Sequence, residues 1–304
     1  MKVHVEIAAE TLFHIGPLSV TNSMLTMFIV MAAILLFFTS VARNMEDVPG
    51  KGQSIVEIII EFLMGLVEGS AGRRAARTIF PLVGGLFIFI LVANYSGLLP
   101  GVGTVGFYRD EETAAASAGT VANAPTHDIA SASVGDSQTR SAPATEATHE
   151  KILVPYFRAP NADLNMTLAL ALVTFTVVQI AGVRAHGPGG RIKHLANPPF
   201  LFPIEVISEF SRIISLSARL FGNVFAGEVL LGVMYAMANA IKIAIIPLFF
   251  PVVFLFLELL FGAVQALVFG LLTLIYITLA TEGGHDEQTH EAHGAATIGQ
   301  GMPQ

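Results

Sequence analysis

Between Phe200 and Met237 the chain is apolar enough to cross a bilayer, yet that stretch carries Glu205, Glu209, Arg212, Arg219 and Glu228. An ionisable group at membrane depth costs several kcal/mol, and so marks a candidate functional site. Arg219 stands out among them, because a guanidinium cannot escape that cost by losing its proton. A permanent positive charge there must serve something that needs one. At about 100° per residue of helix, Glu205, Ser208, Arg212, Ser215, Arg219 and Asn223 fall along one polar stripe. Glu228 lies about half a turn from Arg219 by the same arithmetic and points to the opposite side. Two polar surfaces flanking a fixed cation suit two separate aqueous routes. The alternative is a set of ion pairs that glue helices together, an even choice for Arg212 at the interface and a weaker one for Arg219.

A second apolar helix follows and adds Glu258 and Gln265, seven residues apart on one face. Carboxylates at membrane depth can exchange protons near neutral pH, which is what a relay requires. Gln265 can both donate and accept, so it serves either a solvated guanidinium or a neighbouring helix.

The elements that must position these groups are membrane helices. Hydrophobic residues make up 53% of the 304-residue chain and charged ones only 13%, with a mean hydropathy of +0.67; a soluble domain carries about 25% charged residues. The net charge of −7 argues against a nucleic-acid partner. With no cysteine, disulfides, thiolate metal sites and cysteine nucleophiles are excluded. The start lacks a basic region before its first apolar run, so no cleavable signal peptide is expected. The apolar runs lack phosphate-cradling loops, dinucleotide fingerprints and intramembrane histidines, so neither cofactor nor metal is expected there. His285, His290 and His293 with nearby carboxylates could collect a divalent ion, but a solvated tail is the simpler reading.

Residues 1–23 form a polar lead ending in Thr21-Asn22-Ser23, which is helix-start chemistry. Met24 to Ala42 is the first span, followed by a turn over Val48 to Gly52. Gln53 to Gly69 reads as an amphipathic helix on the membrane surface, and Phe80 to Leu99 as the next span, closing the unit 24–101. Residues 102–162 are Ala/Ser/Thr-rich and are expected to be a flexible extracytoplasmic loop. Leu164 to Val183 is a span leading into a basic Gly/Pro-rich connection, together 163–199.

The last two apolar runs, within 200–281, each hold ~38 residues, or about 57 Å of helix, nearly twice the hydrocarbon core. They must be broken or strongly tilted, and Gly222, Gly227, Gly232, Pro247 and Pro251 permit breaks. A polar cytoplasmic tail, 282–304, closes the chain. Lys and Arg concentrate in 43–77 and 184–194, which places those segments in the cytoplasm, the N-terminus outside and the C-terminus inside. The expected fold is thus an all-α integral membrane protein with five membrane-inserted helices and one surface helix, the last two forming a long hairpin.

The run SLSARLFGNVFAGEVLL, Ser215 to Leu231, resembles the signature of subunit a of F-type ATP synthases. The likeness extends to ANYSGLLPG (Ala93–Gly101), ADLNMTLALAL (Ala162–Leu172), PIEVISEFSR (Pro203–Arg212) and LELLFGAVQALVFGLL around Gln265. The resemblance implies the stator half of a rotary membrane motor, not an enzyme by itself. Its hairpin would pack against a ring of small rotor (c) subunits, each carrying one carboxylate. Peripheral-stalk (b) subunits, lipid and, indirectly, the catalytic head would be its other partners, in a bacterial plasma membrane. Arg219 would be the essential arginine facing the ring. Asn223, Glu228, Glu205, Glu258, Gln265 and Ser215 would serve the proton path. Residues 104–155 form a longer loop than the family needs. Both 228 and 258 are Glu, where the family often has one His, so a sodium-driven version is the alternative. A secondary ion transporter would show internal repeats of broken helices, and the chain has no convincing one. A respiratory proton pump would carry Lys and Glu on several broken helices. A purely structural anchor leaves Arg219 unexplained.

Overall fold

The computed structural model describes the backbone of residues 9–16, 18–99, 102, 105–110, 151–195, 200, 202–240 and 246–298. The order is β1 (Thr11–Ile15), β2 (Leu18–Thr21), α1 (Asn22–Arg43), α2 (Lys51–Ser96), β3 (Gly106–Asp110), β4 (Lys151–Pro155), a 3-10 turn (Pro160–Ala162), α3 (Leu164–Leu195), α4 (Phe202–Ala240) and α5 (Ile246–Ile298). Among the described residues five helices are long and apolar enough to cross a membrane, at Asn22–Arg43, Lys51–Ser96, Leu164–Gly190, Phe202–Met234 and Pro251–Thr281. The chain is an integral membrane protein dominated by helix.

Thr21 caps α1, its hydroxyl accepting from the Met24 amide at 3.3 Å, as Thr21-Asn22-Ser23 predicts. The expected turn at 48–52 is shorter in fact, since α2 already begins at Lys51 behind Gly50. Two breaks divide long helices where the sequence places separate elements. Gly72 (φ 75°, ψ 155°) splits α2 between the run read as a surface helix and the following span. Gly187 (φ 74°, ψ 165°) splits α3 at the start of its basic end. Both conformations are open only to glycine, so each helix turns sharply without leaving helical hydrogen bonding for long. The basic residues thus lie on helix, not in a loop.

The all-α expectation holds for the membrane-capable helices, and two short hairpins outside them add to it. β1 pairs antiparallel with β2 through a turn at Gly16 (φ 62°). β3 pairs with β4, Gly106 opposite Pro155 and Asp110 opposite Lys151. The loop expected to be flexible is therefore closed at its base by a hairpin. Gly106 allows it: a Cβ there would lie 2.6 Å from the Val154 carbonyl carbon. Residues 103, 104 and 111–150 of that loop lie outside the described residues. α4 runs through Gly222, Gly227 and Gly232 without interruption, 39 residues or ~58 Å. α5 runs unbroken past Pro251 and into the polar segment expected as a separate tail, whose Glu, Gln and Ala residues favour helix. The side chains of that tail, His285, His290 and His293 included, lie outside the described residues.

The core lies among the second half of α2, α3, α4 and α5. Ile90, Leu220 and Phe269 are fully buried there, with Leu86, Phe87, Ala171, Ile213, Leu216, Val224 and Ala266 around them. The first helix reaches the bundle at its polar end. Asn22 Nδ2 donates to the Pro155 carbonyl at 3.3 Å, and Ser23 Oγ to Asp163 Oδ2 at 2.8 Å. The start of α1 and the segment 155–163 thus share one side of the molecule.

Candidate ion path

The buried residues Ile213, Leu216, Ser217, Leu220 and Val224 recur at helical spacing and turn one face of α4 into the bundle. Ser217 and Thr167 tie that face to α3 through their hydroxyls, 3.1 Å apart. Ser215 and Arg219 are consequently exposed. They share the outward face with Ile204, Ile207, Phe210 and Ile214, each at least 60% exposed. Among the described residues Arg219 forms no ion pair. The stripe read from the sequence is therefore split: Ser215 and Arg219 face out, while Arg212 and Asn223 are engaged with neighbouring groups.

Two contacts fix the register of α4 against α5. Asn223 Nδ2 donates to the Phe261 carbonyl at 3.3 Å, and the bare Cα of Gly227 lies against the Glu258 carboxylate. Continuing that antiparallel register by one turn brings Arg219 and Gln265 to the same level. Gln265 is 7% exposed, and its Nε2 has no hydrogen-bond partner among the described residues.

One polar cluster lies beyond Arg219, toward the end of the bundle where α1 begins. Arg158 Nε and Nη2 both donate to Glu228 Oε2, at 3.3 and 3.2 Å. Arg158 is only 6% exposed. Asn161 Nδ2 donates to Asn94 Oδ1 at 2.7 Å, and Asn94 Nδ2 to the Gly262 carbonyl at 3.0 Å. A cavity of about 270 Å³ opens beside them, lined by Asn94, Asn223, Gly227, Glu258 and Phe261 among others. Glu258 borders it with Oε2 unpartnered among the described residues. Glu228 and Glu258, far apart in sequence, are thus neighbours.

A second cluster lies on the other side of Arg219. Glu209, 7% exposed, accepts from Arg212 Nη1 at 3.2 Å and from Gln179 Nε2 at 3.1 Å. Glu205 stands 3.9 Å from Arg212 Nη2. The Arg212 guanidinium also lies 5.2 Å from the centre of the Tyr276 ring, a favourable cation–π arrangement. A small cavity of about 20 Å³ adjoins Thr174, Glu209, Arg212 and Tyr276. Arg212 is thus bound into an ion-pair network, whereas Arg219 is not. Along the helix axis Arg219 stands ~10 Å from Arg212 and ~14 Å from Glu228. Between the two clusters, α4 turns mainly apolar residues toward the bundle, with Ser217 hydrogen-bonded to Thr167 among them.

The structure sets Glu258 and Asn223 on one cavity, pairs Glu228 with Arg158 nearby, sets Glu205 in the opposite cluster, and leaves Ser215 and Arg219 on the outer face. Sequence reasoning missed Arg158, Asn94, Asn161 and Gln179. An arginine in Phe157-Arg158-Ala159-Pro160, just before a span, is itself a signal. Among the described residues no His, Asp and Glu grouping could hold a metal ion.

The family model described as ATP synthase A chain matches residues 24–278. The chain is 30% identical over 273 residues to ATP synthase subunit a of Moorella thermoacetica, covering 90% of this chain and 96% of that one. It is 30% identical over 275 residues to ATP synthase subunit a 2 of Bradyrhizobium sp., covering 90% and 95%. Against ATP synthase subunit a of Desulfotalea psychrophila the identity is 31% over 263 residues, covering 85% and 83%.

Proposed function

This chain belongs to the ATP synthase A chain family, and from that premise we propose that it is the proton-translocating stator subunit of a rotary ATP synthase. Membership supports an ion-translocating membrane subunit of the complex; the roles of individual residues are inferred from chemistry. The carrying observation is Arg219 on an exposed, largely apolar helix face, without an ion pair among the described residues, between the polar cluster of Glu228 and that of Glu209.

In this reading the outer face of α4 lies against a ring of small rotor subunits, each with a carboxylate at membrane depth. A deprotonated ring carboxylate is drawn to Arg219 and a protonated one is not, so the charge separates loading from unloading. The cluster of Glu228, Glu258 and Asn223 forms one half-channel, and that of Glu205 and Glu209 the other. Gln265, level with Arg219 and with an unused donor, orients water or the guanidinium. Ser215 lies on the same face one turn away. A proton takes almost a full turn on the ring between its two half-channels. Each proton crossing ~100 mV supplies about 2.3 kcal/mol, so several are needed per ATP, which the catalytic head makes.

Lys and Arg in 43–77 and 184–194 support a cytoplasmic position for those ends. The Glu228 cluster then faces outward across a bacterial plasma membrane, and the polar C-terminal segment lies inside. Peripheral-stalk subunits hold the chain against rotation.

The absence of cysteine gives a clean background for the test. A single cysteine at Ile207 or Ile214, each on the exposed face, should cross-link to a cysteine placed beside the ring carboxylate. One at buried Leu216 should not. Cross-linking of neither exposed position would remove the ring from this face. Pumping that requires sodium and ignores proton uncouplers would replace the proton with sodium.

A further inference from the structure

We propose that Arg158 is a positioning residue of the ion path. It holds Glu228 in one orientation and one charge state, leaving Glu258 as the carboxylate that takes up and releases the ion. The inference rests on the stator reading and adds a division of labour between its two acidic residues.

The geometry is unequal on the two carboxylates. Glu228 Oε2 receives two N–H donors from the Arg158 guanidinium, at 3.3 and 3.2 Å. Glu258 has one oxygen without any partner among the described residues and lines the cavity of about 270 Å³. Exchange at Glu258 breaks no ion pair among the described residues, whereas exchange at Glu228 must first loosen its pairing with Arg158. The charged groups facing Glu228 among the described residues are Arg158, from the segment before α3, and Glu258, from α5. Of these two acids, Glu228 is the one that pairs with Arg158.

Arg158 is itself held. Its backbone amide donates to Thr26 Oγ1 at 3.3 Å. Two further bonds, Asn22 to the Pro155 carbonyl and Ser23 to Asp163, bolt the segment to the start of α1. Asp163 Oδ1 in turn accepts from the Asn165 amide at 2.9 Å, closing the first turn of α3. Its neighbours Asn161 and Ala162 are fully buried. A guanidinium presented by so constrained a segment has little freedom to follow a moving charge. It is built as a fixed support.

The test is ATP-driven proton pumping by the whole complex in membrane vesicles, per unit of chain co-purifying with the complex. The variants are Arg158→Gln, Arg158→Lys, Glu228→Gln and the double variant Arg158→Gln with Glu228→Gln. Arg158→Gln should slow pumping about tenfold and displace its pH profile by about one unit or more, as loss of an adjacent opposite charge does. Arg158→Lys should retain the profile. The double variant should pump no more slowly than Arg158→Gln alone, because Arg158 acts through Glu228. If Arg158→Gln fails to accumulate, the double variant should restore accumulation, since removing both partners leaves no orphaned charge. Wild-type pumping and an unmoved profile in Arg158→Gln overturn the proposal. So do multiplicative losses in the double variant, or its failure to accumulate where the single fails. A wild-type complex that pumps no ion overturns the stator reading instead.

Discussion

Gly227 is where a single methyl group should separate folding from ion transfer. A Cβ at that position would meet the Glu258 side chain, 2.7 Å from its carboxyl carbon, against at least 3.4 Å for ordinary contact. The carboxyl must therefore retreat by about 0.7 Å. Glu258 can do so, because one of its oxygens has no partner to lose and a cavity of about 270 Å³ lies alongside. The helix should tolerate the change, since alanine is favoured over glycine within a helix by up to ~1 kcal/mol. Transfer should not tolerate it. A 1 Å misplacement of a reacting group can lower a rate about 100-fold, so Gly227→Ala should slow pumping by about tenfold while the chain accumulates normally. The assay is acidification of inverted vesicles driven by ATP, divided by the amount of assembled complex. Gly85→Ala is the control, as an added Cβ there meets nothing within 4 Å. Pumping at the wild-type rate in Gly227→Ala would refute the reasoning, for it would mean that the position of the Glu258 carboxylate does not matter.

Two further outcomes follow from packing. Gly97→Ala would bring its Cβ to 2.7 Å from the Cβ of Ala159, where neither atom can rotate away. The strain should lower stability by about 1–3 kcal/mol, seen as a lower melting temperature in detergent. Arg212→Met would strip buried Glu209 of its ion pair with Arg212. That should lower stability by about 1–3 kcal/mol, and an added Glu209→Gln should recover part of the loss in the same melting assay.

The membrane helices were legible because lipid demands long apolar runs, and their charge-free stretches mark themselves. The cap at Thr21 was legible for the same reason of local chemistry. The breaks at Gly72 and Gly187 were readable only as composition changes, since backbone dihedrals leave no periodic signal. The two hairpins escaped because four- and five-residue strands flanked by glycine and proline look like loop. Arg219 draws attention in the sequence by cost alone, since no neutral form exists to make its placement cheap. Its outward orientation needed the buried series Ile213, Leu216, Leu220 and Val224, which periodicity hints at but the packed bundle decides. The pairing of Glu228 with Arg158 joins residues 70 apart in the sequence, and no local pattern encodes such a contact. Arg212 was an even choice between glue and function, and its bonds to Glu209 and Tyr276 place it in the packed network.

The central claim is that Arg219 carries a charge which both couples the rotor and keeps two half-channels apart. The direct measurement compares wild type, Arg219→Ala and Arg219→Lys for ATP-driven pumping and for passive proton conductance of vesicles stripped of the catalytic head. The account predicts that Arg219→Ala abolishes pumping, leaves ATP hydrolysis by the detached head intact and opens a passive leak. Arg219→Lys should block the leak better than alanine does. Wild-type pumping with no added leak in Arg219→Ala would contradict the account and reduce Arg219 to a structural residue.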